Sequence, residues 1–165
     1  MSSSMWASSP VDPDVDLHVP AQRAERTWDP LILTVIAVGG LAGAEVRYAL
    51  SLLWPSGAGQ WPGGTWWVNI SGCLLLGALM VVLTELTSPH RLVRPFLGVG
   101  VLGGYTTFST AMVEVHQLVL AGMPAIAMAY LLGTAAAGLV AVALGALGAR
   151  SAATAWSRLR ERARR

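Results

Sequence analysis

The stretch Gly103-Gly104-Tyr105-Thr106-Thr107-Phe108-Ser109-Thr110 places two glycines and four aliphatic hydroxyls between apolar runs, residues 92–102 and 111–120, dense enough to cross a bilayer. Hydrocarbon offers an interrupted backbone no hydrogen bonds. Such a break survives at membrane depth only where protein buries it or where it lines a polar pathway. Its freed carbonyls and hydroxyls can hold a cation or line an ion path, as unwound transporter helices and channel filters do. The alternative is a kinked helix whose Ser and Thr side chains bond back to their own backbone. A cluster of four hydroxyls with two glycines favours the site.

Other polar residues lie at comparable depth. Glu45 and Arg47 follow Gly39-Gly40 and Gly43 in the first apolar segment. Two residues apart, they cannot pair on one helix face. A charge within a span faces protein or a water-filled cavity, or lies near the membrane surface, so Arg47 either lines a vestibule or snorkels to the interface beside Tyr48 and Trp54. Asn69, in the first turns of the second segment, either ties helices together or offers its amide to a permeating species. Glu114 and His116 lie near the far end of the third segment, where surface exposure competes with a functional role. Tyr130 and Thr134, one turn apart, are the clear hydrogen-bonding side chains of the fourth.

The elements that must position these residues follow from composition. Of 165 residues, 54% are hydrophobic and 12% charged, and the mean hydropathy is +0.56. This predicts an all-α integral membrane protein with four transmembrane helices, about residues 31–53, 65–86, 92–120 and 125–149, the third broken at Gly103–Thr107. Each is long enough to cross a hydrocarbon core of about 30 Å. Gly39 and Gly43, and then Gly133, Ala137, Ala141, Gly145 and Ala149, are spaced for close helix contact in lipid. Residues 1–30, rich in Ser, Pro and Asp, read as a disordered arm and lack the pattern of a signal peptide. Residues 150–165 form a basic tail suited to anionic lipid rather than nucleic acid. The single Cys73 excludes an intrachain disulfide and a cysteine metal cluster.

Three motifs in order, Gly39-Gly40-x-x-Gly43-Ala44-x-x-Arg47-Tyr48, Gly64-Thr65-x-x-x-x-Asn69-x-x-Gly72 and Gly103-Gly104-x-Thr106-Thr107-Phe108-Ser109-Thr110 with Glu114, resemble those of the CrcB/Fluc fluoride channels, over about residues 31–149. The resemblance implies a channel rather than an enzyme, passive fluoride exit across the cell membrane that relieves its toxicity, and an antiparallel dimer with two pores. It also implies a structural Na⁺ at the dimer centre, held in part by the Gly103 and Thr106 carbonyls. The residue chemistry fits. A selective path must replace the water of a small, strongly hydrated anion with hydrogen-bond donors, and Asn69, Ser109, Thr110, Tyr130 and Thr134 can all donate. The edge of the Phe108 ring is the positive side of its quadrupole and can meet an anion, while carbonyl oxygens suit hard Na⁺. Arg47 and Glu114 take vestibule or structural roles.

One departure stands out. The family usually carries a second Phe three residues after the first, where this chain has Ala111, so the pore using that position is expected to be impaired, widened or nonfunctional. A partner subunit without conductance of its own is therefore a competing reading. Small multidrug transporters, which also use a membrane Glu in the first helix, are another, with Glu45 as the point of comparison. They explain neither the broken third helix nor Asn69, and Arg47 would repel a cationic substrate. Orientation follows from arginine: with four spans, the arm, the loop at 87–94 and the tail share one side, which carries ten of the eleven arginines. That predicts both termini in the cytoplasm. So strong a bias predicts an antiparallel partner from an oppositely biased paralogue, with an antiparallel homodimer as the alternative.

Overall fold

The computed structural model describes residues 29–163 except 56 and 58, with side chains through Arg160. The arm expected over residues 1–30 lies, apart from its last two residues, outside the described residues. Among the described residues, four helical segments are long and apolar enough to cross a membrane, Pro30–Leu53, Gly63–Leu86, Pro95–Leu120 and Pro124–Arg160. Helix α1 is Pro30–Leu53. Asp29 starts it, its carboxyl oxygen accepting the Leu31 N–H at 2.9 Å, with Pro30 in the first turn where a missing N–H costs nothing. Helix α2 is Gly63–Val81, continued by a π-helical turn Val82–Leu86. The third span comes in two pieces. The first, α3, is π-helical over Pro95–Leu102 and closes with an α-helical turn Gly103–Tyr105. After the interruption at Thr106–Phe108, α4 runs Ser109–Leu120. Helix α5, Pro124–Ala163, is 40 residues long and absorbs the segment expected as a basic tail from residue 150.

The bundle is assembled through glycine. Helix α1 lies against α3, and α2 against α5, at separations no side chain would permit. A Cβ on Gly39 would stand 2.6 Å from the Phe96 carbonyl oxygen, and one on Gly104 would strike the backbone of Gly40. On the other seam, Gly77 abuts the Val142 carbonyl and Gly145 the Leu74 carbonyl. With lipid on the outside, close van der Waals contact replaces the hydrophobic drive that assembles soluble bundles. The small-residue face expected on the last span is used in part. Gly145 and Ala141 are buried, and Gly138, not among the expected positions, is also buried, against Cys73. Large apolar side chains point outward instead, Leu41 at 64% and Leu139 at 76% exposed. A small core of Ala111, Leu118, Ala127 and Tyr130 joins α4 to α5, with Trp66 packed against it.

Candidate functional site

The interruption falls at Thr106–Phe108 rather than at Gly103–Thr107, which corrects the expectation. Gly103 and Gly104 remain helical, because Gly104 serves the close contact with Gly40 and not a turn. The hydroxyls and Asn69 make the break. Thr106 gives both its N–H and its hydroxyl to the Leu102 carbonyl, at 3.0 and 2.9 Å, and then turns extended at φ −79°, ψ 157°. Asn69 captures the next residue from both sides. Its amide nitrogen donates to the Thr107 carbonyl and its oxygen accepts the Thr107 N–H, each at 2.8 Å. The Thr107 hydroxyl in turn accepts the Thr110 N–H at 3.2 Å, satisfying one of the donors left open at the start of α4.

Arg47 closes the other end. Its Nε donates to the Gly104 carbonyl at 3.1 Å from a half-buried position, and it lines a cleft of about 190 Å³ with Ser51, Thr65, Thr107 and Thr110. Arg47 is thus turned into the bundle, against the helix that leads to the break. No described residue donates to the carbonyls of Gly103 or Thr106, and Gly103 is exposed on the subunit surface. Unpaired, uncharged oxygens, that of Gly103 on an exposed residue, suit a hard cation. Phe108, 74% exposed, borders two clefts on the other side of the break. One of about 300 Å³ is lined by Asn69, Gly103, Thr106 and Thr134, and one of about 130 Å³ by Asn69, Ala111, Tyr130 and Thr134. Ala111, only 4% exposed, borders the smaller cleft from within the core shared with Tyr130.

The expected donors divide. Asn69 spends one N–H on Thr107 and keeps the other. The Ser109 hydroxyl is exposed, 3.3 Å from that of Thr107, and the Thr110 hydroxyl accepts from Thr107 at 3.0 Å, leaving its own proton free to point onward. Thr134 donates to the Tyr130 carbonyl at 2.6 Å, and Tyr130, fully buried, donates to a Glu114 oxygen at 2.7 Å. Those two donors are committed within the bundle. The second Glu114 oxygen accepts from Thr65 at 2.6 Å, so Glu114 is a half-buried joint between α2, α4 and α5. Thr65 stands in the second motif, but the sequence assigns it no role. The signal is depth, since the first turn of α2 lies level with the middle of α4.

This joint carries a stability prediction. Glu114→Leu leaves two hydroxyls without an acceptor and is expected to cost about 2–4 kcal/mol, whereas Tyr130→Phe removes a single donor and is expected to cost about 1 kcal/mol. Thermal aggregation of the purified variants reads the order directly. A Tyr130→Phe loss as large as that of Glu114→Leu would show that the joint does not work through its carboxyl oxygens.

The sequence profile described as CrcB-like protein, Camphor Resistance (CrcB), matches residues 34–146. The chain is 48% identical over 125 residues to Fluoride-specific ion channel FluC 2 of Streptomyces avermitilis, covering 74% of this chain and 78% of that one. It is 49% identical over 131 residues to FluC 1 of Streptomyces coelicolor, covering 79% and 84%, and 48% identical over 122 residues to FluC 2 of Nocardia farcinica, covering 74% and 87%. The match spans all four helices and the pinned break between them, which separates the chain from enzymes and from small multidrug transporters alike. The chain belongs to the CrcB/FluC family of fluoride-specific ion channels.

Proposed function

We propose that the chain conducts fluoride passively across the cell membrane, lowering its cytoplasmic toxicity, as one half of an antiparallel dimer. The observation that carries the reading is the break itself, a peptide segment at membrane depth held open by Asn69 and Arg47 beside the exposed ring of Phe108. Clefts that share Thr65, Thr110 and Thr107 lead from the loop end, past Arg47, to the pair around Asn69, Phe108 and Thr134. The Arg47 charge raises the local anion concentration. Asn69, Ser109 and Thr110 then supply donors in place of water, with the Phe108 ring edge beside them. Tyr130 and Thr134 join the path only by giving up their present acceptors. At the dimer centre, the Gly103 and Thr106 carbonyls would hold Na⁺, which would supply a hard cation for neutral oxygen ligands from the two broken helices.

The arginine count supports both termini in the cytoplasm. Asp29 pairs with Arg91 at 3.3 Å, and Glu85 with Arg150 at 2.5 Å, at that same end of the bundle. An antiparallel partner must then insert the other way, which favours an oppositely biased paralogue over a second copy. The relatives named FluC 2 and FluC 3 both come from Streptomyces avermitilis, so one organism can hold at least two such chains. Ala111 supports a division of labour in which the partner supplies the missing aromatic, this chain contributing one degenerate pore.

Efflux from liposomes tests the whole reading. Vesicles loaded with fluoride and containing this chain with its paralogue should empty down the fluoride gradient without proton coupling, and chloride-loaded vesicles should not. The chain alone should show little flux. Equal chloride efflux would overturn the fluoride reading, and full fluoride efflux from the chain alone would overturn the heterodimer.

A further inference from the structure

The family's sequence match ends at residue 146, yet α5 continues to Ala163. Counted from Pro124, a hydrocarbon core of about 30 Å is crossed after roughly 20–25 residues, near Gly148. There the Arg150 guanidinium grips both Glu85 oxygens at the end of α2, Nε lying 2.9 Å from one of them. The remaining helix, from Ser151, has no membrane to span and extends about 20 Å at 1.5 Å per residue.

Its residues are sorted by face. At 100° per residue, Ala152, Ala155, Trp156 and Leu159 fall within an arc of about 100°, flanked by Arg158 and Arg160. Trp156 is 59% and Leu159 58% exposed, so this apolar stripe is left open to its surroundings. The Arg160 guanidinium sits 5.2 Å from the centre of the Trp156 ring, which holds a cation at the border of the stripe. From residue 150 onward, six arginines stand against the single acid Glu161. A nucleic acid would satisfy the arginines and leave Trp156 and Leu159 in water. An anionic bilayer surface takes both, the stripe entering the headgroup boundary while the flanking arginines meet phosphates.

Gly148 is the position where a bend would cost least. A Cβ there would meet nothing, whereas one on Gly145, a turn earlier, would strike the Leu74 carbonyl. Packing thus asks for glycine at 145 and not at 148, and a glycine inside a helix loosens it. We propose that residues 151–163 are a membrane-surface helix, hinged at Gly148, that binds the headgroups of anionic lipids through Arg158 and Arg160 with Trp156 and Leu159 as its apolar anchor.

The test uses the full chain in a Cys73→Ala background, carrying a spin label at Leu159→Cys on the stripe or at Ser157→Cys on the opposite face. It is reconstituted in vesicles of phosphatidylcholine with or without phosphatidylglycerol in both leaflets, so that neither the insertion direction nor fluoride conduction enters the result. With phosphatidylglycerol, oxygen accessibility at position 159 should rise at least about threefold while position 157 stays in water. High salt, or Arg158→Gln and Arg160→Gln together, should return position 159 to water. Labels equally aqueous in both lipids, a position 159 equally buried without anionic lipid, or shielding by added RNA but not by phosphatidylglycerol would each overturn the proposal.

Discussion

Asn69→Asp is expected to reduce fluoride flux by about three orders of magnitude, the largest loss at a position that adds no bulk. The native amide gives one hydrogen to the Thr107 carbonyl, takes one from the Thr107 N–H and turns its remaining hydrogen toward the clefts shared with Phe108. A carboxylate keeps the acceptor, but sets a second oxygen against the Thr107 carbonyl and removes every donor. It also adds a fixed negative charge beside the path. Against an anion at about 4 Å and an effective dielectric of about 20, the repulsion alone is about 4 kcal/mol, close to a thousandfold in occupancy. Asn69→Ala separates the two effects. It releases the clamp on Thr107 without adding charge, so its flux should fall well short of the native chain yet exceed that of Asn69→Asp. Flux from Asn69→Asp within a few fold of native, in protein that still purifies intact, would remove Asn69 from the proposed pathway.

The same residue shows what could and could not be read from the chain. Hydropathy and length place the spans within a few residues, because a bilayer sets the length and lipid sets the composition. The first is expected at about 31–53 and found at Pro30–Leu53. The third begins at Pro95 rather than near 92, a residue whose ring fits a first turn. The last was expected to stop at 149, where charge begins, but Ala, Arg and Leu are good helix formers in water as well as in lipid, and the helix runs on.

The break is legible as a location, but its start lies three residues later than expected, at Thr106. Glycine is the usual suspect for an irregular backbone, yet Gly104 serves contact with Gly40, while Thr106 and Asn69 make the interruption. Side-chain type likewise revealed Tyr130 and Thr134 as donors but not where their protons go. That depends on Glu114, on a neighbouring helix, and on the carbonyl one turn back. Such pairings are set by the depth at which antiparallel helices meet, a quantity hydropathy leaves loose by a turn or more.

Gly43→Ala is expected to prevent assembly of the bundle, although it adds one methyl group in a helix where alanine is otherwise preferred. An added Cβ at Gly43 would overlap the Val101 carbonyl oxygen and stand 2.7 Å from the Tyr105 nitrogen. Both obstacles are backbone, so no rotamer change can make room and α1 must move off α3. Ordinary overpacking costs about 1–3 kcal/mol because neighbouring side chains yield; here they cannot, and the cost should lie at or beyond the top of that range. The displacement spreads into the site, because Arg47, one turn along α1, donates to the Gly104 carbonyl in the same seam. Gly98→Ala provides the contrast, since a Cβ there would meet nothing within 4 Å, and it should fold as well as the native chain or slightly better. Size-exclusion profiles and thermal aggregation temperatures of the two variants decide the matter. If Gly43→Ala runs as a stable native-like species, the contact of α1 with α3 is not what holds the broken helix in place.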